Sequence, residues 1–113
     1  RPVTRGEEIA IESAGTGLKD QRVEPFVVTM ETGYDGRDDR IEHPGQEFVY
    51  CLKGRIEYYV AESAYLLGEG DSLLFDAKQS HAFRNAGSEP AEMLVILQAA
   101  EGTGIARERH LRV

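Results

Sequence analysis

Two imidazoles and one carboxylate are the side chains whose types and spacing point to chemistry in this sequence. His43-Pro44-Gly45-Gln46-Glu47 sets a histidine and a glutamate four positions apart, and a second imidazole, His81, opens the distant run Ser80-His81-Ala82-Phe83-Arg84-Asn85. A helix would also bring positions four apart onto one face, but Pro44 and Gly45 oppose a helix there. In an extended chain successive side chains alternate, so an even separation sends His43 and Glu47 to the same side of a sheet, subject to any bulge at Gly45. Val49 and Cys51 continue that inner row, and Phe83 shares a face with His81. Two imidazoles and one carboxylate make a facial donor set that leaves positions open for water, dioxygen or a bidentate ligand. Among first-row metals this set points first to Fe(II), with Mn, Ni and Zn also compatible.

Short strands must position these groups. Apolar clusters of four to eight residues, rich in β-branched and aromatic types and punctuated by Gly, Pro or acidic turns, predict strands over 8–11, 23–30, 47–52, 55–61, 64–67, 72–75, 81–84 and 92–98. Their number and spacing suit a sandwich or barrel. Lys53-Gly54 reads as the turn of a β-hairpin spanning 47–61. Gly68-Glu69-Gly70-Asp71 and Gly87-Ser88-Glu89-Pro90 read as further reversals. The segment 32–42, with Asp35, Arg37, Asp38, Asp39 and Arg40 and no apolar periodicity, reads as a solvated loop. Residues 101–113, with Arg107, Arg109, His110 and Arg112, read as a surface strand or tail.

Bulk properties narrow the function classes. The 113 residues make about one domain, and 41% hydrophobic with 29% charged residues is the composition of an ordinary globular protein. A net charge of -7 with scattered basic residues provides no footprint for phosphate backbones, so this segment by itself is not expected to grip nucleic acid. The longest apolar run, 93–97, is strand-sized and far short of the roughly 20 residues that span a bilayer. One cysteine, Cys51, makes no internal disulfide, and no charged-then-apolar leader precedes the first predicted strand; both fit a reducing cytoplasm. The chain starts at Arg1 rather than Met, which suggests a fragment, a processed product or the ordered part of something longer.

The run His43-Pro44-Gly45-Gln46-Glu47-Phe48-Val49-Tyr50-Cys51-Leu52-Lys53-Gly54 resembles the first cupin motif, and Gly70-Asp71 through His81 and Asn85 resembles the second. Both motifs and their connecting strands cover most of 40–98. Where the family usually has a further histidine, two positions before His43, Ile41 stands, and the usual Pro-x-Gly turn is Asp76-Ala77-Lys78. The resemblance implies an all-β, single-domain cupin double-stranded β-helix (jelly-roll barrel) over 1–100. It also implies a reduced set of metal ligands, His43, Glu47 and His81, holding a divalent transition metal (Fe, Mn, Ni or Zn) in a pocket that Cys51 and Phe83 line.

Two functions follow from that resemblance. Residues 24–29 and the Glu47-Phe48-Val49-Tyr50 run look like the C-terminal cupin domain of bacterial regulators with an upstream helix-turn-helix domain, which implies a small-molecule ligand in the barrel and DNA contact only through such a domain. Epoxidases of the same architectural group hold Fe(II) on a His, a Glu four residues later and a distant His, which implies the alternative of an Fe(II)-dependent oxygenase or isomerase. A structural or dimerisation module is the third reading, and a homodimer is expected by family analogy. On the residues alone, Cys51 is more simply a packing residue, Tyr50, Tyr58 and Phe75 core or interface, and Asn85 a turn residue.

Overall fold

Alternating apolar residues give nine strands in the computed structural model, which describes residues 8–99 and the backbone of 3–5. In chain order they are β1 (Val3–Arg5), β2 (Ile9–Ser13), β3 (Val23–Met30), β4 (Gln46–Lys53), β5 (Ile56–Val60), β6 (Ser63–Leu67), β7 (Ser72–Asp76), β8 (His81–Asn85) and β9 (Ala91–Gln98). Among the described residues there is no helix, and hence none long and apolar enough to cross a membrane. The expected tail at 101–113, with His110, lies outside the described residues.

The strands form two antiparallel sheets, one of six in the order β1-β2-β3-β9-β4-β7 and one of three in the order β6-β5-β8. This is the expected all-β jelly-roll class. Along β9 the buried Ala91, Met93, Val95 and Leu97 alternate with half-buried Glu92, Leu94 and Ile96, so each strand turns one face to the interior. The inner faces bury Ile11, Phe26, Val28, Met30, Val49, Ile56, Tyr58, Met93, Val95 and Leu97 in one shared core.

The expected 47–61 hairpin does not form. β4 pairs with β7 and β9, whereas β5 pairs with β6 and β8, so Lys53-Gly54 carries the chain from one sheet to the other. Gly54 has a φ of 81°, and a Cβ there would lie 3.0 Å from Ala91, so the turn is pressed against β9. The turns around Gly68-Asp71 and Gly87-Pro90 likewise cross between sheets instead of returning the chain along its neighbour. The tight hairpin is β5–β6, closed over Ala61-Glu62 with Val60 opposite Ser63. Turn residues mark a change of direction, but partner choice depends on which apolar faces the core can bury.

The 32–42 segment is only partly a solvated loop. Asp35 and Arg37 to Arg40 are exposed, but Gly36 N donates to Phe83 O (3.0 Å), Asn85 N to Tyr34 O (2.9 Å) and Ile41 N to His81 O (2.9 Å). The segment is a strap along the otherwise open side of β8, with Tyr34 half-buried against Phe83 at a ring separation of 5.8 Å. It delivers His43 to the start of β4.

On the β5–β8 pair, Arg84 is 2.8 Å from Glu57 and Tyr59 donates to Glu57 at 2.6 Å. Tyr59's hydrogen bond first, and Arg84 second, hold the Glu57 carboxyl below its ordinary range. A depressed folded-state value means that this stabilisation is present above the unfolded carboxylate pKa, about 4.3, and is lost as pH falls through the lower folded value. Glu57→Gln is therefore expected to lower stability at neutral pH by under about 1 kcal/mol, the scale of a partly exposed pair. It should also flatten the loss of stability between neutral and strongly acidic pH, as read by urea unfolding across that range.

Candidate metal centre

Each proposed ligand comes from a different structural piece. Glu47 lies inside the six-stranded sheet, opposite Phe75 of β7 and Leu97 of β9. His81 begins β8 of the three-stranded sheet and exchanges both backbone hydrogen bonds with Ile41 of the strap, at 2.9 and 3.0 Å. His43 joins strap to β4, and its N–H donates to Ala77 O at 2.9 Å. His43 and Glu47 both face inward, His43 from before β4 across a bend in which Gly45 has a φ of 90°, and no more than 1% of any of the three residues is exposed.

Their tips converge. His43 Nε2 and His81 Nε2 lie 3.1 and 3.3 Å from the same oxygen, Glu47 Oε1, and one ligand atom from each residue falls within 4.8 Å of the others. The rings of His43 and His81 meet edge to face at 5.1 Å. His81 Nδ1 sits 2.7 Å from Gln79 O; a carbonyl only accepts, so Nδ1 carries the proton and Nε2 faces the acid. Such a backbone contact is how a ligating imidazole is commonly held in one tautomer.

The donor set fits a divalent metal. Two donors about 2.1 Å from one ion and at right angles to each other would be roughly 3.0 Å apart, close to the two observed separations. His81 Nε2 brings a lone pair to the carboxylate, and either a hydrogen on His43 Nε2 or a metal ion among the three groups binds them together.

Tyr58, read from the sequence as core or interface, reaches this centre. Its hydroxyl donates to Glu47 Oε2, while its ring stacks on Phe83 at 5.2 Å and tilts against Phe75 at 5.6 Å. Burial first, and the Glu47 charge second, push its phenol well above the ordinary value, so it remains a proton donor. The available signal was a tyrosine in the buried parity of β5, between Ile56 and Val60, since a buried hydroxyl needs a partner. Phe75 was likewise read as core or interface, and it meets the His81 ring edge-on at 5.0 Å.

Of the two expected pocket residues, Phe83 stands behind the triad and Cys51 lies away from it. Phe83 forms the aromatic layer with Tyr58 and Tyr34. Cys51 is buried in the inner row, but its sulfur lies 3.7 and 3.6 Å from the carbonyls of Lys53 and Gly54, at the other end of β4. Burial raises its thiol pKa, the property of an inert packing cysteine. Arg84 is engaged by Glu57 and Tyr59, and Arg40 by the carbonyls of Ala61 and Ser80. Ile41 is half-buried, and its bridge to His81 places both side chains on one side of the backbone pair.

The family model of the cupin domain matches residues 26–97, across both sheets and all three converging residues. The chain belongs to the cupin family. Among solved structures, this cupin is similar to the hydroxypropylphosphonic acid epoxidase from S. wedmorenis in complex with fosfomycin, with 25% identity and a TM-score of 0.71 over 86% of this chain and 55% of that one. It is similar in fold to the cupin domain of an XRE family transcriptional regulator from Enterobacter cloacae, at 15% identity and a TM-score of 0.73, covering 83% of this chain and 99% of that domain. An HTH_3 family transcriptional regulator from Vibrio cholerae shares the fold at 17% identity and a TM-score of 0.67, over 82% of this chain and 52% of that one. The cupin thus spans about half the length of the epoxidase and Vibrio chains. No curated protein matches it.

Proposed function

We propose that this cupin domain, taken as residues 1–100, holds one divalent transition metal on His43, Glu47 and His81, and that a small anionic or chelating molecule is sensed at that ion. The setting we propose is the ligand-responsive domain of a bacterial transcription regulator working in the cytoplasm, with DNA contacted by another domain. One observation carries the reading: three buried donors from two sheets and a strap meet with their ligand atoms within 4.8 Å. Fold likeness to the two regulators supports the regulatory setting. When bound, the ion supplies Lewis acidity and open coordination positions. The chain's own part is to hold the imidazole of His81 through Gln79 O, to hold Glu47 through Tyr58, and to keep water out with Phe75 and Phe83.

A homodimer belongs to this proposal. The outer face of the six-stranded sheet carries a groove of about 280 Å³ in which the apolar Val23, Phe48, Leu74 and Ile96 sit among Arg22, Gln46 and Gln98, and Leu74, 64% exposed, forms its wall on edge strand β7. A two-fold interface uses the same patch on both copies, and an exposed leucine on an edge strand is a natural centre for one. Leu74→Arg is expected to halve the mass measured by sedimentation; an unchanged mass would remove this face as the interface.

A second reading has its own support. The identity with the epoxidase, 25%, exceeds that with either regulator, and the donor set suits non-haem Fe(II), so an Fe(II)-dependent oxygenase is the competing function. Metal analysis tests what both share: about one transition-metal ion per folded chain is expected after loading, and a metal-free protein under every loading condition overturns both. Anaerobic Fe(II) loading followed by dioxygen then divides them. Oxygen consumption dependent on an added phosphonate or hydroxy acid supports the enzyme, whereas binding of such molecules without consumption supports the sensor.

A further inference from the structure

We infer that Tyr58 is a positioning residue for the metal centre: its hydroxyl occupies Glu47 Oε2, so that Oε1 alone is presented to the ion beside His43 and His81. The inference rests on the metal-binding reading and goes beyond it, because it assigns how many positions on the ion the protein itself fills. Glu47 has two oxygens, and the structure divides their work. Oε1 lies 3.1 and 3.3 Å from the two imidazole Nε2 atoms, while Oε2 accepts from Tyr58.

The division is enforced from the opposite sheet. Glu47 stands on β4 and Tyr58 on β5, so their hydrogen bond crosses the core between sheets that share no backbone pairing at these strands. Tyr58 cannot swing freely, since its fully buried ring is stacked on Phe83 and packed against Phe75. A carboxylate held in this way ligates through one oxygen. Three protein donors then leave three positions of an octahedral ion for ligands, where a two-oxygen carboxylate would leave two. Tyr58 thereby limits how many positions on the ion the protein itself would fill.

Tyr58→Phe keeps the ring and removes only the donor. In the Co(II)-loaded protein it is expected to weaken the metal 10- to 100-fold in chelator competition, the scale found when an outer-shell partner is lost. The Glu47 carboxylate infrared stretches should move from the one-oxygen to the two-oxygen pattern, which a purely structural role would not change. Phe83→Leu, which loosens the stack but keeps the hydroxyl, should lower stability and leave the carboxylate pattern alone. Should Tyr58→Phe fail to fold, 3-fluorotyrosine placed at position 58 keeps the shape and strengthens the donor, and the carboxylate stretches should still shift. Wild-type protein that takes no Co(II) overturns the metal reading and this inference with it. Wild-type protein that binds Co(II), with Tyr58→Phe keeping the one-oxygen carboxylate pattern or the fluorinated variant leaving the carboxylate frequencies unmoved, overturns the inference alone.

Discussion

Glu47→Gln is expected to abolish stoichiometric metal binding while leaving the protein folded, and Glu47→Ala to abolish binding and cost stability as well. The carboxylate is the only anionic donor among the three converging side chains, and both imidazole Nε2 atoms face its Oε1. Glutamine fills the same space and can still accept from Tyr58, but it brings no charge to the ion. Affinity for Zn(II) or Co(II) should fall by roughly two orders of magnitude or more, because ligand number and charge set metal affinity. Alanine also strips the buried Tyr58 hydroxyl of its acceptor and leaves a cavity between the sheets, with an expected cost of about 2–4 kcal/mol in metal-free protein. Chelator competition and urea unfolding on the two variants separate the effects. Unchanged affinity in Glu47→Gln would show that the carboxylate is not a ligand and that the convergence is only a buried hydrogen-bond network.

Asn85→Ala carries the largest stability effect expected outside the centre. Asn85 is 4% exposed and sits at the end of β8. Its Nδ2 donates to Met30 O, Glu31 O and Glu89 O at 3.3, 3.2 and 2.8 Å, and its Oδ1 accepts from Gly87 N at 2.9 Å. One side chain therefore ties the end of β3 to the β8–β9 crossing. Alanine removes these bonds together and strands buried carbonyls, for about 2–4 kcal/mol and a drop in Tm of roughly 10 °C or more. Asn85→Asp should be at least as damaging at neutral pH, since a carboxylate would face three carbonyl oxygens. That variant should regain stability as pH falls, because only its protonated form donates. A loss below about 0.5 kcal/mol in Asn85→Ala would mean that water replaces the amide and that the clamp is unimportant.

Local residue pattern determined a good deal of this protein. Short apolar clusters rich in β-branched and aromatic residues, cut off by Gly, Pro and acidic turns, placed eight strands within a residue or two of their observed ends, because those side chains suit a pleated, half-buried surface whatever its neighbours are. Alternation along the strand placed Glu47, Val49 and Cys51 on one inner row of β4, where all three are buried, whereas His43 lies before the strand and turns inward across the bend at Pro44-Gly45. Gly54 and Gly70 marked real turns with positive φ. His81 was found through its type and its motif.

Pairing was beyond such local rules. Lys53-Gly54 has the chemistry of a hairpin turn, yet β4 and β5 part into different sheets, since the choice of partner is decided by contacts between residues far apart in the chain. For the same reason Tyr58 read as core, the 32–42 segment as a solvated loop and Asn85 as a turn residue; the first and last readings are true but only part of what each residue does. Each acquires its role from an atom on another strand: Glu47 Oε2, the backbone of His81 and Phe83, and the carbonyls of Met30 and Glu31. Spacing along a strand fixes the side from which a group faces the core, and only the packing of one sheet on the other decides what it meets there.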